Sequence, residues 1–419
     1  MVSLTIDFHP VGQGLFSSGE VSISGLPDFN YIYDCGTSSK QALLDAAIVN
    51  YQRNIDAIDM VVISHFDRDH ISGLEKLLAH TKVKVLLLPM LALEQRLLIA
   101  FAENIPISSK YMRFLRDPVT YIMSLPNANV AHIVMVPSSS TEIDVRDSDI
   151  SEENQREALE GWPEGLSADL DVNNSDSTPK NVHLLMPGGR LTVRKLFEFV
   201  PYNDSSLAPI NRHFVNKVKN KIPILTNGLS SASDVKAALS SLKSYYDKKY
   251  GSNSTSRNLI SLFLYAGILN KANDMYVYTA KRFGKKTYFE RHLSLIPKCA
   301  VLYTGDGYLN TAQRFDMLKN FLNNRRLGSI GCLQVMHHGA KGNWYKGLAK
   351  ELSPSVSIFS SDPSHRSLHH PHAEVVKDFL PYTPIQVDKE NHVQFSIWCS
   401  LTPHDLPTPC MDFLIASSL

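Results

Sequence analysis

Residues 58–65, IDMVVISH, run apolar and β-branched without a break and end in polar residues, the pattern of a strand buried on both faces. SGLEKLLAHT (72–81) follows with helical spacing and Ser72 at its cap, and KVKVLLLP (82–89) is a second apolar strand. A strand, helix and strand in that order, with the strands apolar on both faces, need helices as cover. The chain is therefore expected to be α/β and layered. Between strand and helix stands HFDRDH, which puts His65, Asp67, Asp69 and His70 within six positions.

The same pattern extends along the chain. SLTIDFH (3–9), FNYIYDCG (29–36), VAHIVMVP (130–137) and VHLLMPGG (182–189) are expected strands, and QALLDAAIVNYQRN (41–54) and LALEQRLLIAFAENI (91–105) expected helices. Later strands are expected at NLISLFLYAG (258–267), MYVYTAKRF (275–283), CAVLYTGDG (299–307), GCLQVMHHGAKGN (331–343), SVSIFSS (355–361) and HVQFSIW (392–398), with a helix over TAQRFDMLKNFLNN (311–324). Residues 138–182 turn polar and acidic and read as an insertion, 183–189 return as a core strand, and 190–257 read as a mostly helical insertion.

Composition narrows the partners. A net charge of +1 gives no bulk electrostatic case for nucleic acid or an anionic membrane, although Arg212, Lys217, Lys219 and Lys221, and again Lys243, Lys248 and Lys249, make local basic spots. No run of about 18 apolar residues suggests a membrane span. Five scattered cysteines, Cys35, Cys299, Cys332, Cys399 and Cys410, point to reduced thiols and a cytoplasmic location.

Chemistry-bearing residues gather at expected strand ends. His65, Asp67, Asp69 and His70 follow one strand, Asp306 another, and His337 and His338 a third, while His369, His370 and His372 lie in SLHHPHAEV. Strand ends of a layered α/β sheet converge on one site. Mixed carboxylate and imidazole suits zinc or manganese, and a pair of such ions clamps an in-line displacement. His337 and His338 are adjacent, so on a strand they would face opposite ways. Asp34 is a candidate either to orient a metal ligand or to cap a turn, and His183 reads as a packed strand residue.

These residues also carry a resemblance. HFDRDH followed by Gly73 resembles the first metal motif of the metallo-β-lactamase fold superfamily, and aspartate at position 67 resembles the branch containing the C-terminal domain of the DNA-uptake protein ComEC. VGQG (11–14), YIYDCG (31–36), NLISLFLYAG, YTGDG (303–307), HHGAKGN (337–343) and HHPHAE (369–374) resemble further motifs of that branch in order. The resemblance implies a four-layer αββα sandwich, with 1–137 its first half and 258–419 its second. It makes His65, Asp67, Asp69 and His70 metal ligands, Asp306 the bridging ligand, and one of His337 and His338 a further ligand. Asp69 or Asp306 would orient the attacking water, and His370 or His372 would contact phosphate or act as general acid. A lone third-motif histidine of many superfamily members has no clear counterpart here, which leaves the first metal position a ligand short.

One or two divalent ions, Zn²⁺ or Mn²⁺, are the expected cofactors. The function this favours is a metal-dependent hydrolase, first a phosphodiesterase or nuclease using a metal-activated hydroxide. The alternatives are a hydrolase of a small molecule (lactone, thioester or cyclic nucleotide) or a partner-regulated component of a multi-protein system, such as anti-phage defence, with a protein partner bound through 138–257. A basic groove would favour nucleic acid, and a closed pocket a small substrate.

Overall fold

Alternation in SLTIDF sends Leu4, Ile6 and Phe8 to one face of a strand, and this period-two pattern recurs across a wide sheet. The computed structural model describes residues 1–53, 55–139, 160–171, 179–204, 212–226, 229–250, 261–269, 275–283, 288–294, 298–365 and 369–400. Most of the acidic 138–182 stretch, residues 140–159 and 172–178, lies outside the described residues, as do Asn258 and Cys410.

Among the described residues the strands form two mixed sheets. The first, in spatial order, is β13 (Tyr288–Ser294), β12 (Met275–Phe283), β18 (His392–Ser400), β1 (Val2–Phe8), β2 (Phe16–Ile23), β3 (Phe29–Cys35), β4 (Ala57–Val62), β5 (Lys82–Pro89), β6 (Val130–Val136) and β8 (Val182–Leu184). It is antiparallel from β13 to β3 and parallel from β3 to β8. The second runs β17 (Pro384–Val387), β16 (Val356–Ser360), β15 (Ile330–Gln334), β14 (Ala300–Tyr303), β11 (Leu262–Ile268), β10 (Phe197–Asn203), β9 (Leu191–Val193) and β7 (Leu166–Ala168). Its β14–β17 part is parallel and the remainder antiparallel.

One apolar cluster joins the inner faces of both sheets, with Phe8, Tyr31, Val62 and Leu87 from the first against Phe199, Leu264, Val301 and Ile358 from the second. Each outer face packs on helices. α1 (Gln41–Gln52), α3 (Leu74–His80), α4 (Leu93–Ala102), α5 (Lys110–Arg116) and α6 (Pro118–Met123) cover the first sheet. α10 (Ala312–Gly328), α11 (Leu348–Leu352) and α12 (Ala373–Phe379) cover the second. The double burial expected of β4 holds: Met60 and Val62 face the inter-sheet core, and Val61 and Ile63 face the helices. Chain order produces this because parallel strands need crossover helices, whereas β1–β3 close by short turns.

Two expectations change. Residues 191–203 are not helical: they form β9 and β10, and the helices begin only at α7 (Arg212–Lys219), followed by α8 (Ile222–Thr226) and α9 (Ala232–Tyr250). The charges that hid β10 are paired internally, since Glu198 meets Arg190 and Arg326 in the core. Those helices also belong to the main body. Phe214, Val218, Leu239 and Tyr246 are buried in the helix-side cluster, with Phe101 5.7 Å from the Tyr246 ring. Two of the basic residues are engaged locally: Lys217 Nζ lies 4.8 Å over the Tyr245 ring, and Lys243 bonds Asp247. No helix among the described residues is long and apolar enough to cross a membrane.

Candidate metal centre

The expected strand-end residues meet. The loop after β4 carries Ser64, His65, Asp67 and, through the short α2 (Arg68–Ile71), Asp69 and His70. It is pinned to the second sheet, because the Leu262 amide donates to the Ser64 carbonyl at 2.7 Å. Asp34, in β3 at positive φ, receives the Ser64 amide at 2.7 Å and its hydroxyl at 2.6 Å, and faces His70 Nδ1 at 2.7 Å. Of the two roles weighed for Asp34, this is the orienting one.

Two glycines let the backbone approach this loop. A Cβ on Gly36 would fall 2.4 Å from Asp69 C and His70 N, and one on Gly14, at φ +146°, 2.8 Å from Asp69 O. Gly14 is the second glycine of VGQG, so that motif makes space for the loop besides turning the chain. Gly36→Ala is expected to displace the Asp69–His70 segment and weaken divalent-cation binding at least about tenfold, as lost ligand support does. Calorimetric titration with Mn²⁺ against wild type reads this directly.

From the second sheet, Asp306 follows β14 on a turn held by Gln334, whose Oε1 accepts from the amides of Thr304 (2.9 Å) and Gly305 (2.7 Å). Gly305 sits at φ +51°, where a Cβ would meet Ser261 Oγ at 2.4 Å. The Asp306 amide donates to Ser261 Oγ at 3.2 Å. His337 and His338 follow β15, but not as strand residues. Both adopt left-handed φ, 45° and 57°, in a tight 3-10 turn, so their rings converge instead of facing apart. His337 Nε2 is 3.3 Å from Asp306 Oδ2, and His338 Nε2 is 3.5 Å from Asp306 Oδ1 and 3.4 Å from Asp69 Oδ2.

Asp69, His70, Asp306 and His338 offer ligand atoms all within 4.8 Å of one another. His70 Nε2 lies 3.0 Å from Asp306 Oδ1, and His65 Nε2 lies 3.8 Å from Asp306 Oδ2 and 3.7 Å from Asp67 Oδ2. His370 stands beside them, its ring 5.6 Å from His337, and His372 lies one step further out, Nδ1 3.2 Å from His370 Nδ1. His369 is exposed. His183 packs elsewhere, against His132 and Trp162.

The tautomers test whether a cation fits. His70 Nδ1 faces the Asp34 carboxylate, His338 Nδ1 the Ser360 carbonyl at 2.5 Å, and His337 Nδ1 the Asn343 amide oxygen at 2.9 Å. His65 Nδ1 faces Ser64 Oγ at 2.8 Å, whose own hydrogen goes to Asp34. Every Nδ1 therefore donates, so in the neutral imidazole each Nε2 carries a lone pair turned toward carboxylates. His65 Nε2, Asp67 Oδ1 and His338 Nε2 are buried without a hydrogen bond among the described residues. Lone pairs aimed at anions repel unless a proton or a metal ion lies between them. A buried group of this composition is able to hold a metal ion.

Its electrostatics point the same way. Burial alone would raise Asp306, but His337, His70 and His338 hold its carboxyl well below the usual range. Burial would lower His70, yet Asp306 and Asp34 raise it well above the ordinary value. His65 is driven down to about 3 by burial and then by His70, and burial with Glu103, Asp69 and Asp306 pushes Asp67 well up. Asp306, His70, His65 and Asp67 are thus held far from their solution behaviour.

Sequence reasoning missed Ser64, Gln334 and Asn343. All three lie inside quoted stretches, and the signal they offered was a hydrogen-bonding side chain near a ligand-type residue.

A family model described as Anti-Pycsar protein Apyc1 matches residues 23–103. No curated protein matches the chain. The matched stretch carries Asp34, His65, Asp67, Asp69 and His70 and ends before Asp306, so the similarity lies in the half of the site that the first sheet supplies.

Proposed function

We propose that the chain is a metal-dependent phosphodiesterase of the four-layer metallo-β-lactamase type, and that its substrate is a small cyclic phosphodiester rather than a nucleic-acid polymer. The observation that carries this reading is the convergence of Asp69, His70, Asp306 and His338, with imidazole lone pairs turned onto carboxylates. The motif order shared with the ComEC-like branch supports a phosphodiester substrate. Small size is supported by the match to a family whose name sets it against Pycsar, a system that involves cyclic nucleotides. Local pairing of Lys217 and Lys243 weighs against a polymer groove on α7 and α9.

A divalent cation, held by Asp69, His70, Asp306 and His338, would supply charge neutralisation at phosphorus and an acidified water. The chain's own groups do the rest. Asp34 and the Ser360 carbonyl fix the rings of His70 and His338 through Nδ1, so both Nε2 atoms hold direction. Asp69 and Asp306 set the orientation of the attacking water through their carboxylate oxygens. His370, half-buried and pushed down to about 4 by burial and by His337, is neutral in the resting site. An incoming phosphate beside it stabilises its protonated form, which then gives the proton to the leaving oxygen. His370→Ala is expected to lower kcat roughly 100-fold while bound metal is unchanged, as read by steady-state rates beside elemental analysis.

The deciding experiment sets 3′,5′-cyclic nucleotides against single- and double-stranded DNA and RNA, with Mn²⁺ and with Zn²⁺. Ring opening of a cyclic nucleotide without polymer cleavage is the expected result. Polymer cleavage alone returns the assignment to a nuclease, and no turnover of either class refutes the enzyme reading.

A further inference from the structure

We propose that a cavity behind the metal-ligand loop binds a planar aromatic ring carrying an anionic group, and that its occupant acts on Asp69 and His70 through α2. The site stands on its lining alone, whereas the coupling rests on the metal-dependent reading above. The cavity measures about 840 Å³, within the roughly 300–1,000 Å³ of small-molecule sites, and lies among α2, α3, α5 and α6. Ile71, Leu74, Tyr111, Phe114, Tyr121 and Ile122 make much of its wall apolar and aromatic. None of the residues gathered around Asp306 lines it.

The same wall carries charge. Arg68, Lys76 and Lys110 stand there against one carboxylate, Glu75. Glu75 is already answered, since the Tyr121 hydroxyl donates to it and Lys110 Nζ lies 3.8 Å away. Lys76 is drawn to Asp45 at 3.2 Å. The Arg68 side chain is exposed and has no hydrogen bond or ion pair among the described residues. An anionic group on the ligand meets Arg68, and a flat ring meets three aromatic side chains, stacked or edge-on. An aliphatic acid satisfies only the first of these.

Metal centre and cavity share one stretch of chain. In HFDRDHI, His65, Asp67, Asp69 and His70 turn to the metal centre, while Arg68 and Ile71, three apart on α2, line the cavity. Phe66 joins the two sides. Its carbonyl accepts from the Tyr111 hydroxyl, and its ring meets Phe114 edge-on with centroids 5.1 Å apart. A ligand that grips Arg68, Tyr111 and Phe114 therefore steadies the backbone that carries Asp67, Asp69 and His70. Ordering that backbone serves both ligands, so each tightens the other by the same factor.

The probe is anilinonaphthalene sulfonate, followed by its fluorescence on metal-free protein. Wild type is expected to bind it saturably, and Arg68→Ala about tenfold more weakly. Ile105→Trp, which fills the cavity from its wall, is expected to lose the binding while melting near the wild-type temperature. Saturating Mn²⁺ is expected to tighten the probe about fivefold on wild type, and naphthalene sulfonate to displace it where laurate does not. No binding by wild type, or binding unchanged in both variants, overturns the site. Displacement by laurate overturns the aromatic class. A probe affinity indifferent to bound Mn²⁺ overturns the coupling, whereas a chain that binds the probe and no Mn²⁺ overturns the metal-dependent reading and the coupling together and leaves the site standing.

Discussion

Replacing Asp306 with alanine is expected to abolish divalent-cation binding and to lower phosphodiester turnover at least about 1,000-fold, a barrier increase near 4 kcal/mol. No other side chain in the site meets so many partners: His65, His70, His337 and His338 all place an imidazole nitrogen within 4 Å of its oxygens. His337, His70 and His338 hold it ionised against a burial that would otherwise raise it. Without it, four lone pairs keep their direction and lose their common anion. Asp306→Asn separates charge from shape, because its amide group occupies nearly the same volume. Cation binding should be lost in both variants, while the melting temperature of Asp306→Asn should stay close to wild type in a thermal scan. Turnover that survives in either variant contradicts the assigned site.

The largest expected effect on stability lies in Glu198 of β10. Its Oε1 accepts from Arg326 Nε at 2.9 Å, and its Oε2 accepts from Arg326 Nη2 and Arg190 Nη1, both at 3.0 Å. Arg325 Nη2 stands 3.5 Å from Oε1. Glu198 is 1% exposed and Arg326 is fully buried, so the attraction is little screened by solvent. Glu198→Ala leaves buried guanidinium groups without the anion that balances them, a loss of about 3–5 kcal/mol. In differential scanning calorimetry this should lower the melting temperature by roughly 3–6 °C. A drop below about 1 °C would mean that water or another acceptor replaces the carboxylate.

Glu198 also explains why part of the fold was hidden in the sequence. PGGRLTVRKLFEFVPYND carries Arg190, Glu198 and Pro201, which argue against core strands when read one residue at a time. The structure satisfies each in three dimensions. The charges pair, and β9 ends its pairing at Phe199, before the proline. β2 was missed for a related reason: FSSGEVSI looks like a polar loop, yet Tyr31 covers Gly19, and Ser17 Oγ donates to the Asp7 carbonyl. Small buried polar residues answered by partners far along the chain leave no periodic trace.

The parallel halves were legible because doubly buried strands such as β4 have no substitute for a continuous apolar run. The site was legible for the same topological reason, since its ligand-type residues stand at strand ends. What the sequence could not carry was direction. His337 and His338 look like a strand pair facing opposite ways, and only the left-handed turn brings both rings to Asp306. Asp34 looked equally like a turn cap until its carboxylate met Ser64 and His70.

The central claim is that imidazole lone pairs and carboxylates converge here to hold a catalytic cation. Anomalous diffraction at the manganese edge, from crystals grown with Mn²⁺, tests it most directly. A peak is expected within coordination distance of His70 Nε2 and His338 Nε2, bounded by Asp69 and Asp306 oxygens. A saturated crystal with no peak among these four residues, while Mn²⁺ binds elsewhere on the chain, would contradict it.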